Sequence, residues 1–458
     1  MPLARLPVRV DAALRRRLPP YRRWREPAAR LDHLLARTDR WSGDEAEAWQ
    51  LRQLNHLVAH ARANVPGHAR KFAAAGITTP LRRLADLARL PFLAKDELRA
   101  APEEFQSRGF PRSGLRPVTS GGTTGEPLHF MVDAASYDFV FETWRRAMWA
   151  RAGYRPGARY VDLTWAFTEE APVRLGGNDG QLFLSIHALT ATDQPIWRDR
   201  VRAWKPQFIV GFPSTATAFA KLLPPPDALA GVRGILLASE TLSSLQRQEL
   251  AATFPSARIF SWYGMSELAG FASGCEQSDT FHHWPQSGVL ELIQDNGSPA
   301  GQPGDSGEIV LTGFGNHATP FIRYRTGDRA TLGPSCPHCG RPGIVLASID
   351  GRTDDYLLGR HGRRVPLSAL NFHTDEFRRV FAHQFVQDEP GSVVLKLVTL
   401  AGFGRGDVTA IGNLVADRLG EDLSLTLEYV DALPRTARGK QMLIVRRCGD
   451  GAVRQPAP

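Results

Sequence analysis

The residues at positions 118–127 read VTSGGTTGEP and combine three glycines with a group of hydroxyl side chains. Glycine lets the backbone turn tightly and approach a ligand closely. Successive backbone N–H groups in such a loop form a concavity that binds anions, and serine and threonine hydroxyls add further donors. The pattern predicts a polyphosphate site, here called the glycine loop, formed by Ser120, Gly121, Gly122, Thr123, Thr124 and Gly125.

The glycine loop differs from a P-loop, whose last glycine is followed directly by lysine. Here Glu126 follows Gly125, so the loop brings no cation of its own. Phosphoryl chemistry needs positive charge to balance the negative charge that builds up during reaction. The segment PRTARGK at 434–440 ends on Lys440, one of only six lysines in the chain, beside a glycine; taken alone, this motif indicates an exposed lysine in a loop.

Three other short motifs carry groups that suit a nucleotide. Glu267, in WYGMSE at the end of a predicted strand, supplies a carboxylate of the kind that Mg²⁺ binds together with phosphate oxygens. Asp328, in YRTGD, can accept hydrogen bonds from ribose hydroxyls. The segment GRTDD at 351–355 has the polar, turn-forming composition of a hinge between domains.

The cysteines predict a structural metal site and no disulfide framework. Four cysteines are too few to staple a chain of 458 residues. Two of them form a Cys-x-x-Cys pair, and another is followed seven positions later by histidine, which gives the Cys₃His donor set of many zinc sites. The predicted ligands are Cys275, His282, Cys336 and Cys339, with His283 and His338 as alternative ligands.

The elements that must position these groups alternate between strand and helix. After a mainly helical start, with one long amphipathic stretch over 48–72, apolar strands are predicted at 159–165, 207–212, 232–238 and 258–263. Short strands follow at 288–293, 308–313, 321–324 and 329–332. Beyond residue 351 we predict helices at 367–381 and 407–419 with strands at 393–399 and 424–430.

This alternation predicts an α/β fold with a large N-terminal α/β domain and a small, mobile α+β C-terminal domain. The expected boundaries are 1–353 for the first domain, with a β-rich subdomain at about 286–350, and 354–447 for the second, which acts as a lid. Residues 448–458 are expected to form a disordered tail.

Composition narrows the range of functions. A 43% hydrophobic, 22% charged chain is typical of a globular protein, and no apolar run reaches the roughly 20 residues that span a bilayer. The N-terminal segment is arginine-rich and lacks the apolar stretch of a secretory signal, so we expect a cytoplasmic protein. The formal charge of +9 raises a nucleic-acid-binding alternative, but the arginines are scattered and not interleaved with aromatic residues.

Taken together and in this order, the glycine loop and the motifs around Glu267, Asp328, residues 351–355 and Lys440 resemble the adenylate-forming superfamily of acyl-CoA synthetases, adenylation domains and luciferases. Within it the chain is most similar to the phenylacetate-CoA ligase branch, which the segment PFLAKDEL at 91–98 also resembles. The similarity extends from about residue 49 to residue 447.

The resemblance implies a role for each matching residue. The glycine loop would hold the β- and γ-phosphates of ATP, and Glu267 would bind Mg²⁺. Asp328 would bind the ribose, with Arg352 beside the nucleotide, and Asp354 would be the hinge about which Lys440 swings in for adenylation. Glu240, Tyr263 and Gly264 would lie at the nucleotide. Strand ends next to these motifs predict an acyl pocket at Phe212, Pro213, Ser214, Ala238 and Trp262.

The predicted function is ATP-dependent activation of an aromatic or other hydrophobic carboxylic acid through an acyl-adenylate, followed by transfer to coenzyme A. The predicted cofactors are ATP, Mg²⁺ and a structural Zn²⁺. The segment GRHG at 359–362 has an extra residue before the glycine expected near the thiol channel. Transfer to a carrier protein, an amine or a hydroxyl group therefore remains an alternative, as does a zinc-containing nucleic-acid-binding protein.

Overall fold

The structure is a computed structural model. It describes residues 34–35, 37–38, 40–77, 80–120, 127–165, 172–176, 180–223, 229–353, 355–370, 375–436 and 440–449. None of the described helices combines the length and the apolar character that a bilayer crossing requires.

The principal helices within the described residues lie mostly in the first 260 residues. Helix α1 starts with a capping box, in which Ser42 and Glu45 each accept the other's backbone N–H. The helices are α1 (Gly43–Asn64), α2 (Pro66–Ala74), α3 (Lys95–Ala100), α4 (Tyr137–Arg151), α5 (Gln194–Trp204), α6 (Pro213–Leu222), α7 (Ser244–Thr253) and α8 (Arg405–Leu419).

The strands fall into a large sheet, a small C-terminal sheet and two hairpins. They are β1 (Leu115–Thr119), β2 (His129–Asp133), β3 (Tyr160–Leu163), β4 (Val173–Leu175), β5 (Gln181–Leu184), β6 (Phe208–Gly211), β7 (Gly234–Ala238), β8 (Arg258–Gly264), β9 (Phe271–Gly274), β10 (Phe281–His283), β11 (Gly288–Ile293), β12 (Ser306–Gly313), β13 (Tyr324–Leu332), β14 (Val345–Arg352), β15 (Tyr356–Leu358), β16 (Arg364–Pro366), β17 (Val380–Glu389), β18 (Ser392–Thr399), β19 (Ser424–Tyr429) and β20 (Ile444–Arg446).

The large sheet has twelve strands in the order β11-β12-β13-β14-β10-β9-β8-β7-β6-β3-β5-β4. Strands β5, β3, β6, β7 and β8 run parallel, and the pairs from β8 through to β11 are antiparallel. The β-rich strands are therefore continuous with the parallel sheet, because the β9–β10 hairpin bridges the two halves.

Alternate side chains of the parallel strands enter two different cores. Val161, Ile209 and Ile235 pack with helices α5, α6 and α7 on one face. Val210 and Leu236 pack with the tryptophans of α4 on the other face. This two-sided burial explains why these strands are almost wholly apolar.

The C-terminal part contains a separate sheet in the order β19-β18-β17-β20. Helix α8 covers it and buries Ile411, Val415 and Leu419 in a core with Phe385 and Leu395. The predicted fold class, an α/β chain with a C-terminal α+β unit, is confirmed.

Three element predictions are wrong in detail. The single helix over 48–72 is two helices, because Val65 precedes Pro66 and adopts an extended conformation, as residues before proline prefer. The helix predicted over 367–381 is wrong in its described residues: two short 3-10 turns lie at Leu367–Leu370 and Asp375–Arg379, and β17 begins at Val380 and pairs with neighbours on both sides.

The third difference concerns the strands predicted at 321–324 and 329–332. Residues 321–323 are not in a strand, and one strand, β13, runs from Tyr324 through the second predicted segment, with a shift of register against β12 between Glu308 and Val310. Gly327 lies within β13 at φ +73°, a backbone conformation that favours glycine. The turn signal at this glycine marks an irregularity inside a strand and not a strand end.

Candidate active site

A cleft of about 1660 Å³ lies where the parallel strands end at their carboxyl termini. Its wall includes Thr164 after β3, Phe212 after β6, Ala238 at the end of β7 and Gly264 at the end of β8. Open α/β sheets bind ligands at this edge. The C-terminal part contributes Lys440 and the start of β17 to the same cleft, so the site is built from both ends of the chain.

Asp328, Arg352 and Tyr263 form a connected group on the cleft wall. Asp328 on β13 pairs in register with Arg352 on β14, and Arg352 Nε lies 3.4 Å from Asp328 Oδ1. The Tyr263 hydroxyl donates to Asp328 Oδ2 at 2.7 Å. Burial and the adjacent Asp328 carboxylate raise the pKa of Tyr263 well above its usual value, so this tyrosine stays a donor.

Glu267 follows β8 and lies in the cleft wall although it is only 5% exposed. Its Oε1 accepts the Tyr324 hydroxyl at 3.2 Å. Burial raises the pKa of Glu267, with a smaller opposing effect from the charge of Lys95. A buried carboxylate that faces the cleft fits the one or two carboxylates that Mg²⁺ takes beside phosphate oxygens.

Lys95 is a site residue that the sequence reasoning did not single out. It begins α3, lies in the cleft wall and donates to the Thr326 carbonyl oxygen. Its ammonium would lie 3.5 Å from a Cβ placed on Gly327, the residue next to Asp328. Burial lowers the pKa of Lys95 and nearby Arg352 lowers it further, while Asp328 and Glu267 oppose the shift. A signal was available, since Lys95 is one of six lysines and lies in the segment PFLAKDEL.

Glu240 joins the large sheet to the C-terminal part. One oxygen accepts the Ser214 N–H at 3.0 Å, and the other accepts the Ser214 hydroxyl and the Gln441 N–H, each at 3.0 Å. Arg435 approaches the same serine, with 3.4 Å between its guanidinium and Ser214 Oγ. Burial raises the pKa of Glu240, and the hydrogen bonds from Ser214 oppose that shift.

Lys440 lies beside the contact that Glu240 makes. Its backbone exchanges hydrogen bonds with Thr436, and its ammonium lies 5.8 Å from the centre of the Phe212 ring. The lysine therefore enters the cleft at the point where β6 ends.

The remaining predicted residues divide into three groups. Ser120 lines the cleft, and its hydroxyl accepts the Leu128 N–H at 2.9 Å. The acyl-pocket residues Phe212, Ser214, Ala238 and Trp262 also line it, whereas Pro213 is buried in the first turn of α6 and is not part of the wall. Outside the described residues lie Gly121, Gly122, Thr123, Thr124, Gly125 and the predicted hinge Asp354.

A cluster of cysteine and histidine side chains forms a second candidate site. The ligand atoms of Cys275, His282, Cys336 and Cys339 are all within 4.8 Å of one another. The sulfurs of Cys275 and Cys336 are 3.8 Å apart, and Cys339 Sγ lies 3.8 Å from both ring nitrogens of His282. Tetrahedral zinc with Zn–S bonds of about 2.3 Å holds two sulfurs at about that separation. Neither His283 nor His338 belongs to this group among the described residues.

A parallel sheet with a nucleotide-sized cleft at its carboxyl edge, approached by a lysine from a small α+β unit, defines the architecture of adenylate-forming enzymes. A solved 2-hydroxyisobutyryl-CoA ligase, in a postadenylation state with an acyl-AMP, superimposes with a TM-score of 0.71. The two chains share 19% sequence identity, and the match covers 89% of this chain and 90% of the other.

Sequence relatives identify the branch. The phenylacetate-coenzyme A ligase of Aromatoleum evansii is 30% identical over 335 residues, which is 70% of this chain and 73% of the relative. The enzyme of the same name from Thermus thermophilus is 28% identical over 69% of this chain and 72% of its own length. Residues 357–447 match the CapK C-terminal domain. The chain belongs to the phenylacetate-CoA ligase family of adenylate-forming enzymes, as its motifs predicted.

Proposed function

We propose that this protein is an AMP-forming acid–CoA ligase, which activates a carboxylic acid with ATP and passes the acyl group to coenzyme A. The observation that carries the proposal is the meeting of Lys440, Glu267, Asp328 and Arg352 on one cleft. These residues come from segments far apart in the sequence, and each has a chemical role in activating a carboxylate. The enzyme class is that of the family, and the assignment of residues to steps is our own.

In the first step a carboxylate oxygen attacks the α-phosphorus of ATP, and the bond from that phosphorus to the bridging oxygen breaks to release pyrophosphate. Two negative groups must meet, so the step depends on positive charge placed beforehand. Lys440 supplies it from the C-terminal side. We assign a second cation, Lys95, to the large domain, because Glu126 stands where a P-loop has lysine.

The other cleft residues position the nucleotide. Asp328 accepts hydrogen bonds from the ribose hydroxyls while Arg352 and Tyr263 hold its carboxylate in place. The glycine loop, residues 120–125, takes the β- and γ-phosphates, and Gly264 and Glu240 border the nucleotide. Glu267 would hold Mg²⁺, which would neutralise the phosphate oxygens.

In the second step the thiol of coenzyme A attacks the acyl carbon, the bond to AMP breaks, and the thiol proton is lost to solvent. Lys440 occupies the cleft during adenylation, so a path for the thiol opens when the C-terminal domain rotates about residue 354. The domain boundaries proposed for this motion are 1–353 and 354–447.

The group Cys275, His282, Cys336 and Cys339 would hold a structural zinc ion, since four ligands leave no open position for substrate. Free thiols grouped for metal binding are typical of proteins in reducing compartments, which supports a cytoplasmic location.

The deciding experiment measures pyrophosphate release and product mass together. The purified chain is incubated with ATP, Mg²⁺, coenzyme A and single acids from aryl, fatty and hydroxy-acid series. We expect pyrophosphate and a CoA thioester in equal amounts with at least one acid. Pyrophosphate without thioester would contradict coenzyme A as acceptor, and neither product with any acid would contradict the enzyme class.

A further inference from the structure

The cleft continues inward from Lys440 along one face of the sheet. Strand β6 ends at Gly211, followed by Phe212, whose ring lies near the Lys440 ammonium. Val210, two residues before Phe212, also lines the cleft, and it pairs with Asp162 on β3. This inner part, between α4 and the sheet, is here called the inner pocket, and its walls are Phe141, Arg145, Trp149, Asp162, Gln181 and Val210.

The inner pocket ends in a buried carboxylate and not in an apolar wall. Asp162 is 2% exposed. Its Oδ1 accepts the N–H and the hydroxyl of Thr164 at 3.0 and 2.5 Å, and its Oδ2 accepts Gln181 Nε2 at 3.0 Å. A carboxylate offers about four acceptor positions. The three hydrogen bonds from described residues occupy three of these positions, so Oδ2 can accept one more hydrogen bond.

Trp149, which carries an indole N–H, lines the same inner pocket. Trp149 is 1% exposed, and its Nε1 has no hydrogen-bond partner among the described residues. The guanidinium of Arg145 lies 4.1 Å over the Trp149 ring and is paired with Glu142. A buried donor without an acceptor costs free energy, so a ligand atom that accepts a hydrogen bond there would be stabilised.

We infer that the inner pocket recognises an acid that carries a hydroxyl group at the end away from its carboxylate. A hydroxyl group both donates and accepts, so one group can donate to Asp162 Oδ2 and accept from Trp149 Nε1. An alkyl or unsubstituted end leaves the indole N–H without an acceptor and the fourth acceptor position of the carboxylate unused. The inference rests on the proposed function, since it takes the acid to lie with its carboxylate beside Lys440.

The spacing suits a small hydroxylated aryl acid. Two residues of strand separate the level of Asp162 and Val210 from that of Phe212, which is about 7 Å along the strand. One aromatic ring with a short carboxylated arm spans such a distance. Phe141 and Trp262, whose ring centres are 6.3 Å apart, supply aromatic walls beside it.

Burial raises the pKa of Asp162, and its hydrogen bonds with Thr164 oppose that shift. In either protonation state the group retains an acceptor oxygen for the substrate hydroxyl. This effect supports the geometry without being needed for it.

The test compares matched acids: phenylacetate and its 3- and 4-hydroxy and 3- and 4-methyl derivatives. Pyrophosphate release and thioester formation give kcat/KM, and calorimetry gives the affinity of the free enzyme for each acid. We expect the better hydroxy acid to exceed its methyl counterpart by about 100-fold or more in kcat/KM, because a methyl group leaves the buried Trp149 N–H without an acceptor and offers no donor to Asp162 Oδ2.

Two variants assign the preference to its residues. Trp149→Phe removes the N–H together with the five-membered ring and should reduce the hydroxy-to-methyl ratio at least about fivefold, as expected for one lost hydrogen bond of about 1 kcal/mol. Asp162→Asn keeps the shape and should reduce the ratio further. Trp144→Phe makes the same change as Trp149→Phe on the same helix but outside the cleft wall, and it should leave the ratio unchanged.

The outcomes separate this inference from the proposed function. Turnover without a preference for the hydroxy acid, or a preference that survives Trp149→Phe and Asp162→Asn in folded protein, overturns the inference and leaves the ligase assignment standing. Selective binding of the hydroxy acid without turnover supports the inference and counts against the ligase. Turnover of phenylacetate with neither binding nor turnover of any hydroxy acid overturns the inference alone, and neither binding nor turnover of any acid contradicts both.

Discussion

The backbone N–H of Gln441 donates to Glu240 Oε1 at 3.0 Å. This bond joins the residue next to Lys440 to the loop after β7, and the same carboxylate oxygen accepts the Ser214 hydroxyl. Glu240 thus fixes where the lysine enters the cleft. The sequence resemblance placed Glu240 at the nucleotide, whereas its contacts indicate that it also positions the C-terminal segment.

Replacing Glu240 with glutamine should separate these two roles. An amide has one oxygen, so Glu240→Gln must give up acceptor contacts to Ser214 or to Gln441. If the side chain positions the C-terminal segment, adenylation should slow about tenfold or more, while thioester formation from a supplied acyl-adenylate should continue at the original rate. Stopped-flow measurement of each half-reaction provides the test. A rise in the Kd for ATP with an unchanged adenylation rate would contradict the positioning role.

Removing the charge of Lys440 should affect chemistry more than binding. We expect Lys440→Ala to lower the rate of adenylate formation by about 10²–10³, the effect of losing one preorganised charged donor. The Kd for ATP should change less than about tenfold. Lys396→Ala is the control, since that lysine lies on β18 and pairs with Glu428. Equal losses in rate and in ATP affinity would argue against the assigned role.

We expect kcat/KM for ATP to depend on pH through the ionisation of Lys95. Burial lowers the pKa of this ammonium in the free enzyme, so it loses its proton at a lower pH than an ordinary lysine does. The protonated form binds phosphate, and kcat/KM for ATP should therefore fall as pH rises through the lowered pKa. In Lys95→Arg the charge persists, so the alkaline decline should move to higher pH. Overlapping alkaline limbs for the two proteins would show that another group is responsible.

We expect the metal group, formed by Cys275, His282, Cys336 and Cys339, to bind about one zinc ion per chain. Cys336→Ser should remove it and lower the thermal unfolding midpoint by about 5 °C or more, because the bound ion stabilises only the folded state. Cys448→Ser is the matched control, since Cys448 lies outside the group and should keep both metal and midpoint. Metal analysis by mass spectrometry and calorimetry provide the readouts. Fully folded, metal-free wild-type protein would refute the assignment.

The sequence singles out Glu267 and Asp328 by the short motifs that contain them, and the structure places both on the cleft wall. Cysteine spacing singles out Cys275, His282, Cys336 and Cys339, whose ligand atoms lie together in the structure. The chain order of helices and strands around the parallel sheet was also largely predictable, since buried strands and amphipathic helices have different periods.

What could not be predicted depends on contacts between distant segments. Lys95 reaches the cleft only because α3 packs against β13, and Asp162 reads as one polar residue in an apolar strand until α4 covers it. Strand β17 was not predicted, and a helix was expected to include its first two residues, because its sequence alone does not reveal that β18 and β20 flank it. Tertiary packing decides such cases.

Strand β14 has a practical consequence for handling this enzyme. At one end Val345 pairs with His282 of the metal group, and at the other Arg352 pairs with Asp328. With the proposed zinc bound, thiol oxidants in purification buffers would act on the first end and loosen the second. A preparation made in their presence would under-report affinity for ATP, although no reagent had touched the cleft.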